Sequence, residues 1–266
     1  MRKSEIHRLP KREKQRIAKT AGLGSALGRG FPEVRSAFWS SRNQKWEENR
    51  IVLESQFPQI FSKKHFSSLK FLGGRGEGEV REFLTAEPFT SSSGLKWYAL
   101  AIKKFHKHSR SNPRNQAEAL HSLNLMLNYF KHNNMIRAPF EPTVSEPLAF
   151  KGPFLVMRHL AGPNEVRADK LPPELQKQVF DFANKFSKAI YFAEKSLINR
   201  FEAAGLHYPS PDFVPSNFVA TVKGGRIVRL WIIDQFKEPV RSKEPRYRRH
   251  SHSRISDKWK LGNKIK

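Results

Sequence analysis

The sequence predicts a mixed α+β fold carrying basic, solvated arms at both ends. Three observations lead there. From about Phe66 to Lys103, short β-rich runs alternate with glycine- and serine-rich turns. Residues 114–130 and a stretch from about Glu174 to Ala204 instead repeat their apolar residues at helical spacing. The net charge of +25 is uneven: the first fifty residues and the last thirty carry +8 each, leaving a more moderate middle.

With 266 residues, 38% of them hydrophobic, and 21 Phe and 5 Trp, the chain can fill a real core. A charge of +25 implies an anionic partner such as a nucleotide, a nucleic acid or an acidic protein. No cysteine occurs, which excludes a disulfide framework and thiolate chemistry. The first twenty residues are too charged for a secretory signal, and no apolar run approaches a membrane span. The expectation is a soluble, cytoplasmic protein without a transmembrane segment.

Along the chain, residues 1–20 form a basic segment that Pro10 interrupts. Gly22, Gly24 and Gly28 mimic a dinucleotide fingerprint, but no strand precedes them, so they read as a linker. Residues 33–55 predict a helix with Val34, Phe38, Trp46, Ile51 and Leu53 as apolar positions. From Phe66 the pattern turns to β. Leu69, Phe71 and Leu72 lead into Gly73-Gly-Arg-Gly-Glu-Gly-Glu-Val80, then Phe83 and Leu84. A turn-rich tract at 88–94 precedes the strand Trp97-Tyr-Ala-Leu-Ala-Ile-Lys103. Glycines let backbone N–H groups lie close over phosphates, and a strand-end lysine can reach the phosphates as a point charge.

The helix at 114–130 carries Glu118 in its first turns, where a carboxylate suits any helix and could also pair with Lys103. Strands are expected at Pro147–Phe150 and Phe154–Met157. The long helix from Glu174 delivers the chain to the stretch from Gly205 to Phe236. There Asp212 and, five positions on, Asn217 precede a hairpin around Lys223-Gly-Gly-Arg226, and the run Leu230–Ile233 ends at Asp234. Phosphoryl transfer uses such a set: a carboxylate to orient a hydroxyl, and an amide and a carboxylate to hold Mg²⁺. The same residues suit ordinary turns, so this stretch alone fits either reading. His106 with His108, and His250 with His252, lack further ligands at zinc spacing.

Taken together in this order, the motifs resemble the protein-kinase-like superfamily over roughly residues 66–236. Gly73 to Val80 resembles the glycine-rich loop, Leu100-Ala101-Ile102-Lys103 the third-strand lysine motif, and Phe154 to Leu160 the hinge. Asp212 and Asn217 match the catalytic loop, and Asp234-Gln-Phe stands where the family has Asp-Phe-Gly. The resemblance implies a two-lobed fold with a β-rich N-lobe (66–157) and a reduced helical C-lobe (158–236). An arm and linker (1–32) and a helical extension (33–65) would precede them, and a basic tail (237–266) would follow.

It also implies ATP and Mg²⁺ as cofactors and a hydroxyl-bearing substrate, a protein serine or threonine or a small molecule. Gly73, Gly76, Gly78, Val80, Ala101, Lys103, Met157 and Leu160 would contact the nucleotide. Glu118 would fix Lys103, Asp212 would act on the hydroxyl, and Asn217 and Asp234 would bind the metal. Departures are plain: Arg75 replaces the middle glycine, Ser210-Pro211 replace His-Arg before Asp212, and Asp234 lacks the following glycine. The chain also has no Ala-Pro-Glu and only a short stretch after Asp234, so a usual peptide-substrate platform is not expected. Two other readings remain: a kinase-like module that binds nucleotide structurally, and a basic nucleic-acid-binding protein.

Overall fold

The computed structural model describes residues 32–74, 78–91, 94–107, 109, 112–145, 147–160, 162–191 and 213–233, with side chains from residue 42. The expectations for the N-terminal arm, the glycine linker, the C-terminal tail, Gly76, Asp212 and Asp234 fall outside these described residues. The architecture is mixed α+β, as the sequence predicts, and the chain divides into two compact units. One includes Phe31–Glu118 and Glu146–Leu160, the other Ala119–Ser145 and the chain beyond Ala161.

In the first unit, helix α1 (Pro32–Gln56) is followed by the short helix α2 (Lys63–Ser68). Strands β1 (Lys70–Gly73), β2 (Gly78–Thr90) and β3 (Lys96–Phe105) form an antiparallel meander. Helix α3 (Pro113–His132) and strand β4 (Glu141–Val144) intervene before β5 (Ala149–Lys151) and β6 (Phe154–Arg158) return to the sheet. Its order is β1-β2-β3-β6-β5, antiparallel throughout. The arrangement is consistent with the β-rich lobe that the resemblance implies.

One face of this sheet is the core. Phe83, Leu100, Ile102, Phe154 and Val156 alternate inward and pack against Leu53 of α1 and Phe66 of α2, all nearly sealed from solvent. Each such ring or branched chain contributes roughly 1.5–3 kcal/mol when buried. Helix α1 is tied down further. Trp46 meets Phe150 edge-on at 5.5 Å, and the buried Asn49 donates Nδ2–H to the Leu148 carbonyl at 3.0 Å. Arg42 lies over the Trp46 ring at 5.6 Å, and burial brings its pKa down to about 10.

Two expectations need correction. Phe66 belongs to α2, not to a strand; six residues are too few to show a helical period, and the strand begins at Lys70. Strand β2 also runs through Pro88, which sequence reading places in a turn. Register is irregular between Leu84 and Phe89, so Pro88 removes no paired ladder N–H.

The second unit holds the later turns of α3, β4, β7 (Glu165–Arg167), α4 (Pro173–Tyr191), β8 (Phe218–Lys223) and β9 (Arg226–Ile232). Its sheet has the order β4-β9-β8-β7, with β4 parallel to β9. The predicted hairpin joins β8 to β9, and Gly224 and Gly225 have φ of 55° and 72°, as a tight two-residue turn requires. Helix α4 is amphipathic: Leu175, Val179, Phe182, Phe186 and Ile190 are buried, while Lys177, Asp181, Lys185 and Lys188 face solvent. The short strands β4 and β7 carry no pattern that sequence reading detects.

Candidate active site

Lys103 lies near the end of β3, with β2 on one side and β6 on the other. It pairs with Val80 and with Leu155, while Ala101 pairs with Glu82 and with Met157. Paired residues share a face and alternate residues repeat it, so Val80, Glu82, Ala101, Lys103 and Met157 lie on one surface of the sheet. That surface is opposite to the core face described above. Four positions predicted to contact nucleotide are therefore gathered by strand register alone. Lys103 is only 4% exposed, and its ammonium sits 5.0 Å from the Phe105 ring centroid, within cation–π range.

The glycines at the β1–β2 turn have a measurable reason. Gly74 has φ +124°, and a Cβ there would lie 2.3 Å from the Gly78 carbonyl oxygen. A Cβ on Gly78 would lie 2.4 Å from the Lys104 carbonyl oxygen. Backbone of β2 thus excludes a side chain at Gly74, and backbone of β3 excludes one at Gly78. Gly73 meets no such obstacle. The sequence points to Gly73, Gly76 and Gly78; the Gly73-Gly74 doublet is the signal that Gly74 matters as well.

Glu118 stands in the second turn of α3 and accepts a hydrogen bond from Arg114 Nε at 3.0 Å. Leu160 follows β6 and is half-buried; beside it, His159 N–H donates to the Ala99 carbonyl at 3.2 Å. A group that sequence reading missed lies on the Lys103 face. Glu82, 8% exposed, has one carboxylate oxygen 3.0 Å from Lys70 Nζ and the other 3.2 Å from His159 Nδ1. Ala99 and Ala101 on the intervening strand are small, which leaves room for this bridge between β2 and the end of β6. The three residues are far apart in sequence, so no local motif announces them.

In the second unit, Asn217 closes a single 3-10 turn (Pro215–Asn217) leading into β8. Its N–H donates to the Val214 carbonyl at 2.9 Å, and its carbonyl accepts from Ile233 N–H at 3.0 Å. Phe213 and Phe218, each essentially inaccessible, bracket the turn 5.7 Å apart. Phe213 packs on Phe186 of α4 at 5.4 Å, and Phe186 in turn meets Phe130 of α3 and Phe182. A column of phenylalanines thus holds both ends of the Asn217 turn. Asp212 and Asp234, which adjoin Phe213 and Ile233 in sequence, are outside the described residues.

The donor types suit the chemistry expected of them. A buried lysine on a sheet face beside closely packed glycine backbone is a donor type suited to a phosphate-bearing ligand. The Asn217 amide oxygen is a hard ligand appropriate to Mg²⁺. Among the described residues there is no cluster of three or more histidines and carboxylates that could hold a metal, and no helix long and apolar enough to cross a membrane.

No family model and no curated protein matches the chain. Among solved structures, it is similar to the GDP and kanamycin complex of APH(2")-IIia, at 12% identity over 80% of this chain and 86% of that one. The TM-score is 0.32, a level at which no functional or residue-level conclusion follows.

Proposed function

We propose that the protein is a kinase-like phosphotransferase that uses ATP and Mg²⁺ to phosphorylate a hydroxyl group, of a protein serine or threonine or of a small molecule. The observation that carries the reading is the shared sheet face of Val80, Ala101, Lys103 and Met157, with Gly78 packed against β3 beside it. In this reading Val80, Ala101 and Met157 supply the apolar wall for the base, and Leu160 flanks it at the end of the hinge. The Lys103 ammonium meets the phosphates, and its near-complete burial strengthens that attraction by keeping water away. Glu118 orients Lys103, and the backbone from Gly73 to Gly78, Gly76 included, covers the phosphate chain.

Asn217 and Asp234 hold Mg²⁺ through hard oxygen donors, and Asp212 orients the acceptor hydroxyl and takes its proton. Bound Mg-ATP supplies the phosphoryl group that passes to the acceptor oxygen, with ADP as the leaving product. The chain's part is positioning and electrostatic stabilisation, which suits a loose phosphoryl transition state.

The test is ATP turnover and autophosphorylation with Mg²⁺, comparing the wild type with Lys103→Ala and Asp234→Ala. Turnover should fall at least a hundredfold in both variants, with the fold retained by circular dichroism. Turnover that survives both substitutions would sink the proposal. Nucleotide-dependent thermal stabilisation without turnover would instead establish a binding module, a reading that the replacement of His-Arg by Ser210-Pro211 favours.

A further inference from the structure

The first unit carries a second feature on the opposite side of its sheet from Lys103, where α2 meets the edge strand β1. Phe71 is 55% exposed on that edge, a large ring left in water. Beneath it the Arg81 guanidinium lies 5.8 Å from the Phe71 centroid and 5.2 Å from that of the buried Phe66. Arg81 cannot swing away easily: its Nη1 donates to the carbonyls of Leu69 at 2.7 Å and Ser67 at 3.1 Å. Phe71 is therefore an exposed aromatic surface with a fixed cation behind it.

Among the described residues, the elements flanking this ring carry three lysines. Lys104 Nζ stands 5.4 Å from the Phe66 centroid, and Lys63 and Lys64 are exposed on α2, one turn before Ser67. Glu79, which faces Lys104 across the ladder, is engaged by Arg81 at 3.3 Å and offsets part of this positive charge. An exposed ring on a sheet edge, with lysines on the strand and helix that flank Arg81, offers two different contacts at once. Its complement is a polyanion that also carries flat, stackable groups.

We propose that this surface binds single-stranded nucleic acid, with a base stacked on Phe71 and phosphates held by Lys63, Lys64 and Lys104. An acidic peptide would satisfy the lysines but leave the ring in water. A duplex keeps its bases stacked on one another and cannot offer one to Phe71. The surface does not depend on the phosphotransferase reading, and its residues are not part of that site.

The experiment measures fluorescence anisotropy of a short labelled oligo-uridine and of a labelled duplex of the same length, with the full chain, across a salt series. The basic arms should bind both probes, so the discriminating variants leave the arms intact. Phe71→Ala should weaken oligo-uridine binding about tenfold and leave duplex binding unchanged, whereas Phe71→Trp should retain it. Replacing Lys63 and Lys64 together by alanine should flatten the log–log salt dependence by about 1.4, at about 0.7 per lost phosphate contact. Both positions are exposed, so melting temperatures should hold. Oligo-uridine affinity unchanged in Phe71→Ala would overturn the proposal. So would equal losses for both probes, or displacement of oligo-uridine by polyglutamate with no dependence on Phe71.

Discussion

Lys103 and Asn217 are positioned by opposite means. Lys103 sits inside a ladder, paired with Val80 on one side and Leu155 on the other, so backbone hydrogen bonds decide which face it occupies. Asn217 ends a one-turn helix, and rings decide its place: Phe213 before it and Phe218 after it are sunk in the second unit's core. The ladder would survive loss of any one side chain. The turn would not, because a short loop has few backbone bonds of its own to fall back on.

That contrast is broken most severely at Phe213. Phe213→Ala removes a ring that touches Phe186 and Phe218, and should cost about 3–5 kcal/mol in a denaturant titration. Amide exchange at Asn217 and Ile233 should rise with it, because their N–H groups donate to the Val214 and Asn217 carbonyls and close the turn. Phe213→Leu, which keeps most of the apolar volume, should recover over half of the loss. Equal, small effects from both variants would mean that the turn is held by something other than the phenylalanine column.

On the ladder side the matching test is Gly78→Ala. The added methyl would sit 2.4 Å from the Lys104 carbonyl oxygen, so β2 must lift from β3 beside Lys103. Overpacking of this kind costs about 1–3 kcal/mol, less than the lost phenylalanine. The displacement would also move Val80 relative to Lys103, so nucleotide-dependent thermal stabilisation should fall alongside the intrinsic melting temperature. A variant as stable as the wild type would show that the turn can relax, and that Gly78 is needed for another reason.

The same contrast explains how much could be read from the sequence. The β3 strand, its lysine and the glycine-rich turn are legible because strand periodicity and glycine doublets act over a few neighbouring residues. The β8–β9 hairpin was legible for the same reason, through Gly224 and Gly225. The phenylalanine column was not, since Phe130, Phe186 and Phe213 come from three distant segments and each looks like an ordinary core residue. Glu82 escaped likewise: its partners Lys70 and His159 are 12 and 77 positions away, and only the sheet brings them together. Phe71 is legible as a strand residue, but alternation cannot say that the edge leaves its ring in water.

The smallest predicted effect calibrates the others. Glu47 and Arg50 pair on the surface of α1, with Arg50 Nε 2.8 Å from Glu47 Oε2, and Glu47 is 56% exposed. Hydrogen bonding from Arg50 holds the Glu47 carboxyl below its ordinary value of 4.5. The folded form thus binds its proton less readily than the unfolded chain does. The pair's contribution is therefore fully present above about pH 4.5 and is lost as the pH falls through the lowered value. Because solvent screens the pair, Glu47→Gln should cost only about 0.3 kcal/mol at neutral pH. Denaturation curves of the variant and the wild type should converge in acid. A loss near that expected for Gly78→Ala would mean that surface charge matters to this strongly basic chain as much as packing does, and the ranking drawn from Phe213 and Gly78 would have to be rebuilt around electrostatics.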